Sequence, residues 1–294
     1  MGSKTKIDWC DSTWNPVTGC EHRCPYCYAK GIAERFGTNW LPDENPDDYK
    51  CVLDGTETHA ILELDGMQVR KQKDGRIVPA AFPLGFTPTL HRYRLDDPQQ
   101  WKQPRNIFVC SMADLFGDWV PPEWIQEVFA ACRKAPQHRY LFLTKAPERY
   151  ISLAKLGLLP IEDNFWFGSS APTSDTPCFY SDKHNTFVSM EPLLAEFGSC
   201  GIDTPAELPR WIIIGAETGN RKEKVTPKKA WVDEIAEQAL IYGIPVFMKE
   251  SLRVIMGDDF KQEFPWQARD HEFCGGTPVR LCNGKRFCAP QSQA

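Results

Sequence analysis

Cys20-Glu21-His22-Arg23-Cys24-Pro25-Tyr26-Cys27 is the stretch that decides how this chain is read. Its three cysteines, spaced C-x3-C-x2-C, crowd three thiolates into one short loop. Such a set can hold an iron–sulfur cluster, and where four cysteines would close the coordination, three leave one iron open to a small molecule. Tyr26, directly before the third cysteine, is placed to pack against that molecule. The competing reading is half of a zinc site completed by a distant Cys or His, although zinc knuckles more often use C-x2-C pairs. His22 reads as a surface histidine of the loop.

Working outward, residues 8–19 form a short lead, and a strand around Pro16–Thr18 would deliver Cys20 from its C-terminal end. After Cys27, Tyr28–Phe36 reads as a helix with Ile32, Ala33 and Phe36 on one side. Residues 37–104 interrupt the pattern with Pro, Asp and Gly. Two alternating runs, His59–Leu64 and Met67–Val78, and the turn pairs Asp65-Gly66 and Asp74-Gly75 predict a β-hairpin insertion. From residue 105 short apolar strands recur at Asn106–Cys110, Tyr140–Leu143, Phe165–Phe167, Thr186–Ser189, Trp211–Ile214 and Pro245–Met248. Pro121-Pro122 opens a helix over Glu123–Ala135, and Thr226-Pro227 opens another that runs to Tyr242 and stops at Gly243. Strands of continuous apolar character with long crossovers predict a parallel sheet, either a partial α/β barrel or a doubly wound sheet. The organisation expected is a main domain over 1–256, with the insertion at 37–104, and an irregular, Cys-rich extension over 257–294.

The totals narrow the class. A chain of 294 residues buries one large core, or one core and a modest appendage. A net charge of −5, with both signs spread along the chain, argues against a generic basic nucleic-acid clamp. Twelve cysteines without a signal segment argue for reduced thiols available to metal, in a soluble cytoplasmic protein. No apolar run is long enough to span a bilayer.

In βα folds of barrel type the working face lies at the C-terminal ends of the strands. Strand after strand here ends in reactive groups: Ser111 and Asp114, then Thr144 and Lys145, then Ser169 and Ser170, then Glu191, Glu217 and finally Lys249. Taken singly, each is equally well a helix cap or a solvated rim charge. The C-terminal set His271, Cys274, Cys282 and Cys288 suits a second iron–sulfur cluster or a structural zinc, against a reading of three thiols in a loose tail. Aromatic and Arg residues alternate at His91–Arg94 and Trp101–Arg105, a pattern that serves single-stranded nucleic acid or the packing of the insertion.

The cysteine spacing, the aromatic before the third cysteine and the helix after it resemble the radical S-adenosylmethionine (SAM) superfamily. Longer motifs sharpen the likeness: Trp14-Asn15-Pro16-Val17-Thr18-Gly19-Cys20, Ser111-Met112-Ala113-Asp114-Leu115-Phe116, Leu143-Thr144-Lys145-Ala146-Pro147-Glu148-Arg149, Ser189-Met190-Glu191-Pro192-Leu193-Leu194 and Gly215-Ala216-Glu217-Thr218-Gly219. Together they resemble a phage-associated, widely scattered radical-SAM-like family of unassigned activity, from about residue 6 to 252 apart from the insertion.

The resemblance implies a partial (βα)6-type barrel, a [4Fe–4S] cluster on Cys20, Cys24 and Cys27, and SAM bound to the open iron with Tyr26 beside its adenine. Ser111 and Asp114 would meet the SAM amino group, although the Gly-Gly-Glu usual there is absent. Lys145 and Ser169 would serve its carboxylate or ribose. Glu191, Glu217 and Lys249 would face SAM or substrate, with Lys145 and these three as the catalytic set. A reductant such as flavodoxin or ferredoxin is implied, and a nucleotide or nucleic acid is the favoured substrate for modification or repair. A non-catalytic zinc or iron–sulfur interaction module, and a radical SAM enzyme acting on a peptide, are the alternatives.

Overall fold

The lead into the cysteine loop is divided between two sheets, and that division organises everything around it. The computed structural model describes residues 5–37, 49–53, 60–72, 74–198, 208–218, 221–267, 281–282 and 285–286; for 49–53, 60–61 and the segments after 280 this is the backbone alone. The chain falls into two compact units, residues 1–169 and 170–294.

The first unit contains, in chain order, β1 (Ser12–Trp14), β2 (Val17–Thr18), α1 (Tyr28–Phe36), β3 (Tyr49–Leu53), β4 (Ala60–Leu64), β5 (Val69–Lys71), β6 (Ile77–Pro79), β7 (Thr89–His91), β8 (Asn106–Val109), α2 (Pro122–Arg133), β9 (Arg139–Thr144), α3 (Pro147–Lys155) and β10 (Phe165–Ser170). The first strand of the main sheet is β1, which pairs in parallel with β8 through Ser12–Ile107 and Trp14–Val109. The strand expected at 16–18 is β2, and it belongs instead to the insertion's sheet, antiparallel to β7. Pro16 separates the two: it has no N–H to offer a ladder, so the chain changes sheets there. Strands β8, β9 and β10 continue the parallel pairing. Phe142 stacks on Phe165 and Phe167 across β9 and β10, and Phe129 of α2 meets these rings edge-on at 5.4–6.2 Å. Each such buried ring contributes about 1.5–3 kcal/mol.

The insertion is more than the expected hairpin. Strands β2, β7, β4 and β3 form a four-stranded sheet in which consecutive β3 and β4 are antiparallel, and β5 and β6 form a separate hairpin turned by Asp74-Gly75. Arg and aromatic residues lock the insertion onto the rest of the unit. Glu63 of β4 is buried and accepts from Trp124 Nε1 at 2.7 Å and Arg92 Nη2 at 2.9 Å, while Arg92 also pairs with Glu127 of α2. Arg94 donates to the carbonyls of Asn15 and Ala81, and Arg105 lies 4.7 Å over the Trp101 ring while bonding Ser12 Oγ. The aromatic–Arg alternation therefore packs the insertion, and its guanidinium groups are engaged inside the protein.

The second unit carries β11 (Asn185–Met190), β12 (Ile212–Ile214), α4 (Lys229–Ile241) and β13 (Val246–Met248), with parallel pairing of β11 to β12 and β12 to β13. Its core gathers Val188, Met190, Ile212, Ile214, Val246 and Met248 beneath Val232, Ile235 and Ala239 of α4. The helix starts two residues later than the Thr226-Pro227 signal, after Lys228, and ends at Tyr242 before Gly243, whose φ of +67° favours glycine. Within the first unit the main sheet runs β1-β8-β9-β10, and within the second β11-β12-β13, an α/β architecture in each. Among the described residues no helix is long and apolar enough to cross a membrane.

Candidate functional site

The cysteine loop hangs on two anchors, both from the segment that follows β8. The first is Ser111–Ala113. Gly19 donates its N–H to the Met112 carbonyl at 2.9 Å and forms a parallel bridge with Ala113. Asn15 Oδ1 accepts the Met112 N–H at 2.9 Å and the Ser111 hydroxyl at 3.2 Å. Tyr28, just after the third cysteine, donates its hydroxyl to the Ser111 carbonyl at 2.7 Å. The loop is thus pinned before its first cysteine and after its last.

The second anchor is Asp114. Its Oδ2 accepts from His22 Nε2 at 2.7 Å and from the Lys145 N–H at 2.9 Å; its Oδ1 accepts from the Thr144 hydroxyl at 2.7 Å and the Phe116 N–H at 3.0 Å. Only 5% of Asp114 is exposed. Burial pushes its carboxyl up, but the bonds from His22, Lys145 and Thr144 outweigh that and hold it below the ordinary carboxylate range. On the other side of His22, the Trp119 ring stands edge-on at 4.9 Å. Gly117 makes room for that ring, since a Cβ there would lie 2.3 Å from it.

Cys20, Cys24 and Cys27 are partly exposed, and none is in a disulfide. Cys27 caps α1, its Sγ accepting the Lys30 N–H at 3.4 Å, so the unsatisfied N–H groups of the helix start face this sulfur. Burial pushes the Cys20 thiol up to about 12; the His22 N–H opposes this, while Asp114, Cys24 and Cys27 add to it. Burial also raises Cys24, against the pull of the Lys145 ammonium. In the metal-free chain Cys20 and Cys24 are thiols at neutral pH, and metal binding must displace their protons.

Three free, partly exposed thiols on one loop are the donor type of an iron–sulfur cluster, in which each cysteine takes its own iron, and thiolates are equally the donors of structural zinc. Among the described residues no group of three or more His, Cys, Asp or Glu side chains is gathered to hold an ion. Of the remaining residues in this unit, Tyr26 is part-buried in the loop, and Ser169 is buried on β10 beside Thr144 of β9.

In the second unit the strand ends form a set of their own. Glu191, after β11, makes an ion pair with Lys249, after β13. Gly215, after β12, lies beneath the pair: a Cβ there would meet Lys249 Cδ at 2.9 Å and Glu191 Cγ at 3.2 Å. Glu217 is turned to its own loop, where Arg221 grips it at 2.6 and 2.7 Å, and the Val225 N–H adds a third contact at 3.3 Å. The bonds from Arg221 hold the Glu217 carboxyl below its ordinary range. His271, Cys274 and Cys288 lie outside the described residues; Cys282 is described only as backbone of β14 (Leu281–Cys282), which pairs with β15 (Lys285–Arg286).

Sequence reasoning passed over Asn15 and Trp119 and read His22 as a surface histidine. Asn15 had a signal, since an Asn directly before a proline and five residues ahead of a ligand loop suits side-chain capping of nearby backbone. His22 is 22% exposed and bonded rather than a surface group; its partner lies 92 residues away, and nothing local announces it.

A family model described as "Protein of unknown function (DUF5131)" matches residues 4–254. No curated protein matches the chain. Among solved structures, a spore photoproduct lyase with a cysteine-to-serine mutation is similar at 9% identity and a TM-score of 0.48, over 85% of this chain and 79% of that one.

Proposed function

We propose that this chain, which belongs to the DUF5131 family, is a radical SAM enzyme built on a partial (βα)-type barrel. The observation that carries the reading is a three-cysteine loop pinned on both sides by Ser111–Asp114. Cys20, Cys24 and Cys27 would hold the cluster. When bound, a [4Fe–4S] cluster with one iron open to SAM supplies the electron that splits the sulfonium, releasing methionine and a 5′-deoxyadenosyl radical for hydrogen abstraction.

The chain's own residues would prepare the ground for that chemistry. Asn15, Gly19 and Tyr28 hold the loop to Ser111–Ala113, so its cysteines need no large rearrangement on loading. Lys145 places a cation near Cys24, which offsets the negative charge that three thiolates accumulate. Tyr26 would flank the adenine, and Ser169 and the Lys145 side chain would meet the SAM carboxylate or ribose. The Ser111 and Asp114 side chains are already bonded within the protein, so the SAM amino group would meet backbone of their segment. Glu191 and Lys249 are the groups we assign to SAM or substrate, while the Glu217 carboxylate is engaged by Arg221.

For substrate we propose a nucleotide or nucleic acid. Arg70 and Lys71 of the β5–β6 hairpin support this, as neighbouring cations on a chain of net charge −5. A reductant of the flavodoxin or ferredoxin kind would supply the electron. A second cluster or zinc on Cys274, Cys282 and Cys288 would complete the metal content.

Anaerobic reconstitution with iron and sulfide, then reduction in the presence of SAM, tests the reading. 5′-Deoxyadenosine should form and should vanish in Cys24→Ala. A colourless protein that binds about one zinc and forms none would instead establish the structural-module alternative.

A further inference from the structure

We infer that His22 and Asp114 form a latch that positions the cysteine loop, with Asp114 as the fixed post and His22 as the moving bolt. This deepens the cluster reading above and rests on it. Asp114 is held by three donors from its own side: the Phe116 N–H, the Thr144 hydroxyl and the Lys145 N–H. That fixes the carboxylate to the end of β9 before the loop arrives. His22 then crosses from the segment between Cys20 and Cys24 to bond the one oxygen facing it at 2.7 Å, while Trp119 backs its ring.

Backbone geometry on both sides of the bond points the same way. Among the described residues, Arg23 (φ +54°) and Cys110 (φ +59°) are the non-glycine residues in the left-handed region. One directly follows the bolt, and the other opens the segment that carries the post. L-residues enter that region only where surrounding structure holds them, and a bond between the two segments supplies such a hold. Lys145 also ties the post to charge: its N–H shares Asp114 Oδ2 with His22, while its ammonium acts on Cys24. The latch therefore sets where Cys20 and Cys24 sit relative to Lys145.

The test uses His22→Ala, which removes the bolt and leaves the post with its other donors, and His22→Gln, whose amide N–H can reach the same oxygen. On the reconstituted chain, iron release to a chelator should be about 10- to 100-fold faster in His22→Ala and largely restored in His22→Gln, the usual range for loss of a group that orients a metal ligand. On the metal-free chain, alkylation of Cys20 and Cys24, followed by mass spectrometry against Cys178 as internal reference, should accelerate severalfold in His22→Ala only. Urea midpoints of the metal-free variants should stay close to the parent, which separates loop positioning from general loss of fold. Alkylation of Cys20 and Cys24 within about twofold of the parent in His22→Ala overturns the latch. If the parent takes up no iron, the radical SAM reading fails, and the alkylation rates alone then decide the latch.

Discussion

Replacing Gly19 by Ala tests whether the loop is held as tightly as its contacts indicate. Gly19 has a φ of +88°, and a Cβ there would lie 2.3 Å from the Thr87 carbonyl carbon and oxygen and 2.5 Å from Pro88 N. Two costs arise. The left-handed conformation costs an L-residue about 1–2 kcal/mol. Overpacking against backbone, which cannot swing aside as a side-chain tip can, adds about 1–3 kcal/mol. Gly75 isolates the first cost: its φ is +84°, yet nothing lies within 4 Å of the added Cβ. Gly75→Ala should therefore lose about 1–2 kcal/mol and Gly19→Ala about 2–5 kcal/mol. Urea unfolding of the metal-free chain, followed by tryptophan fluorescence, reads the difference. With an m-value of about 2 kcal/mol/M, an excess loss of ~2 kcal/mol appears as a midpoint lower by ~1 M. Equal losses in the two variants would refute the claim that Thr87 backbone abuts the loop. Gly19→Ala should also lower iron retention, because Gly19 donates to Met112 one residue before Cys20.

Three further outcomes follow from the same geometry. Glu63→Ala should cost about 1–3 kcal/mol in urea unfolding, since it strands the buried Trp124 N–H, whereas Glu63→Gln should recover part of that. Alkaline pH should destabilise the metal-free chain: the Cys110 thiol is held at about 12 by burial against an ordinary value of 9.0, so the unfolded chain loses that proton first. The stability is intact below pH 9 and falls by about 1.4 kcal/mol per pH unit for this thiol as pH rises toward 12, a slope that Cys110→Ala should shed in unfolding measured across that range. Gly215→Ala should displace the Glu191–Lys249 pair with little change in the urea midpoint, because its closest contacts are side-chain atoms; retained 5′-deoxyadenosine formation would then free that pair from any role in SAM cleavage.

The elements legible in the sequence were those with a local cause. Tyr28–Phe36 carries its helix on the Ile32, Ala33 and Phe36 spacing, and the runs at Asn106, Tyr140, Phe165, Thr186, Trp211 and Pro245 fall on β8 to β13 within a residue or a few at each end. The first strand was misplaced because Ser12–Trp14 is three residues long, too short for alternation to announce it. The insertion's extra sheet was hidden for another reason: β4 pairs with β7 across a parallel crossover, and the Asp65-Gly66 pair looked like the turn of a simpler hairpin. At the site, ligand spacing was visible and support was not. Ser111 and Asp114 stood out as polar residues after a strand, but sequence alone cannot say whether such groups face a ligand or a neighbouring loop. Their partners, Asn15, Tyr28 and His22, are 83 to 97 residues distant along the chain. Arg92, Arg94 and Arg105 were ambiguous for a similar reason, since guanidinium groups stack on aromatic rings in a core boundary as readily as on bases.

The insertion's last strand has a bearing on how this family can vary in length. Thr18 bonds His91 at 2.8 Å, Trp14 Nε1 bonds the Arg94 carbonyl at 2.8 Å, and Thr87 lies against Gly19. Residues 87–94 are thus a doorstop for the cysteine loop, although they arrive in the chain as the tail of an apparent appendage. Lineages that shorten or enlarge the stretch between α1 and β8 should keep this octet and its register against Val17–Thr18, and changes in length should concentrate upstream of it. A member lacking the octet would have to hold its cysteines by other means.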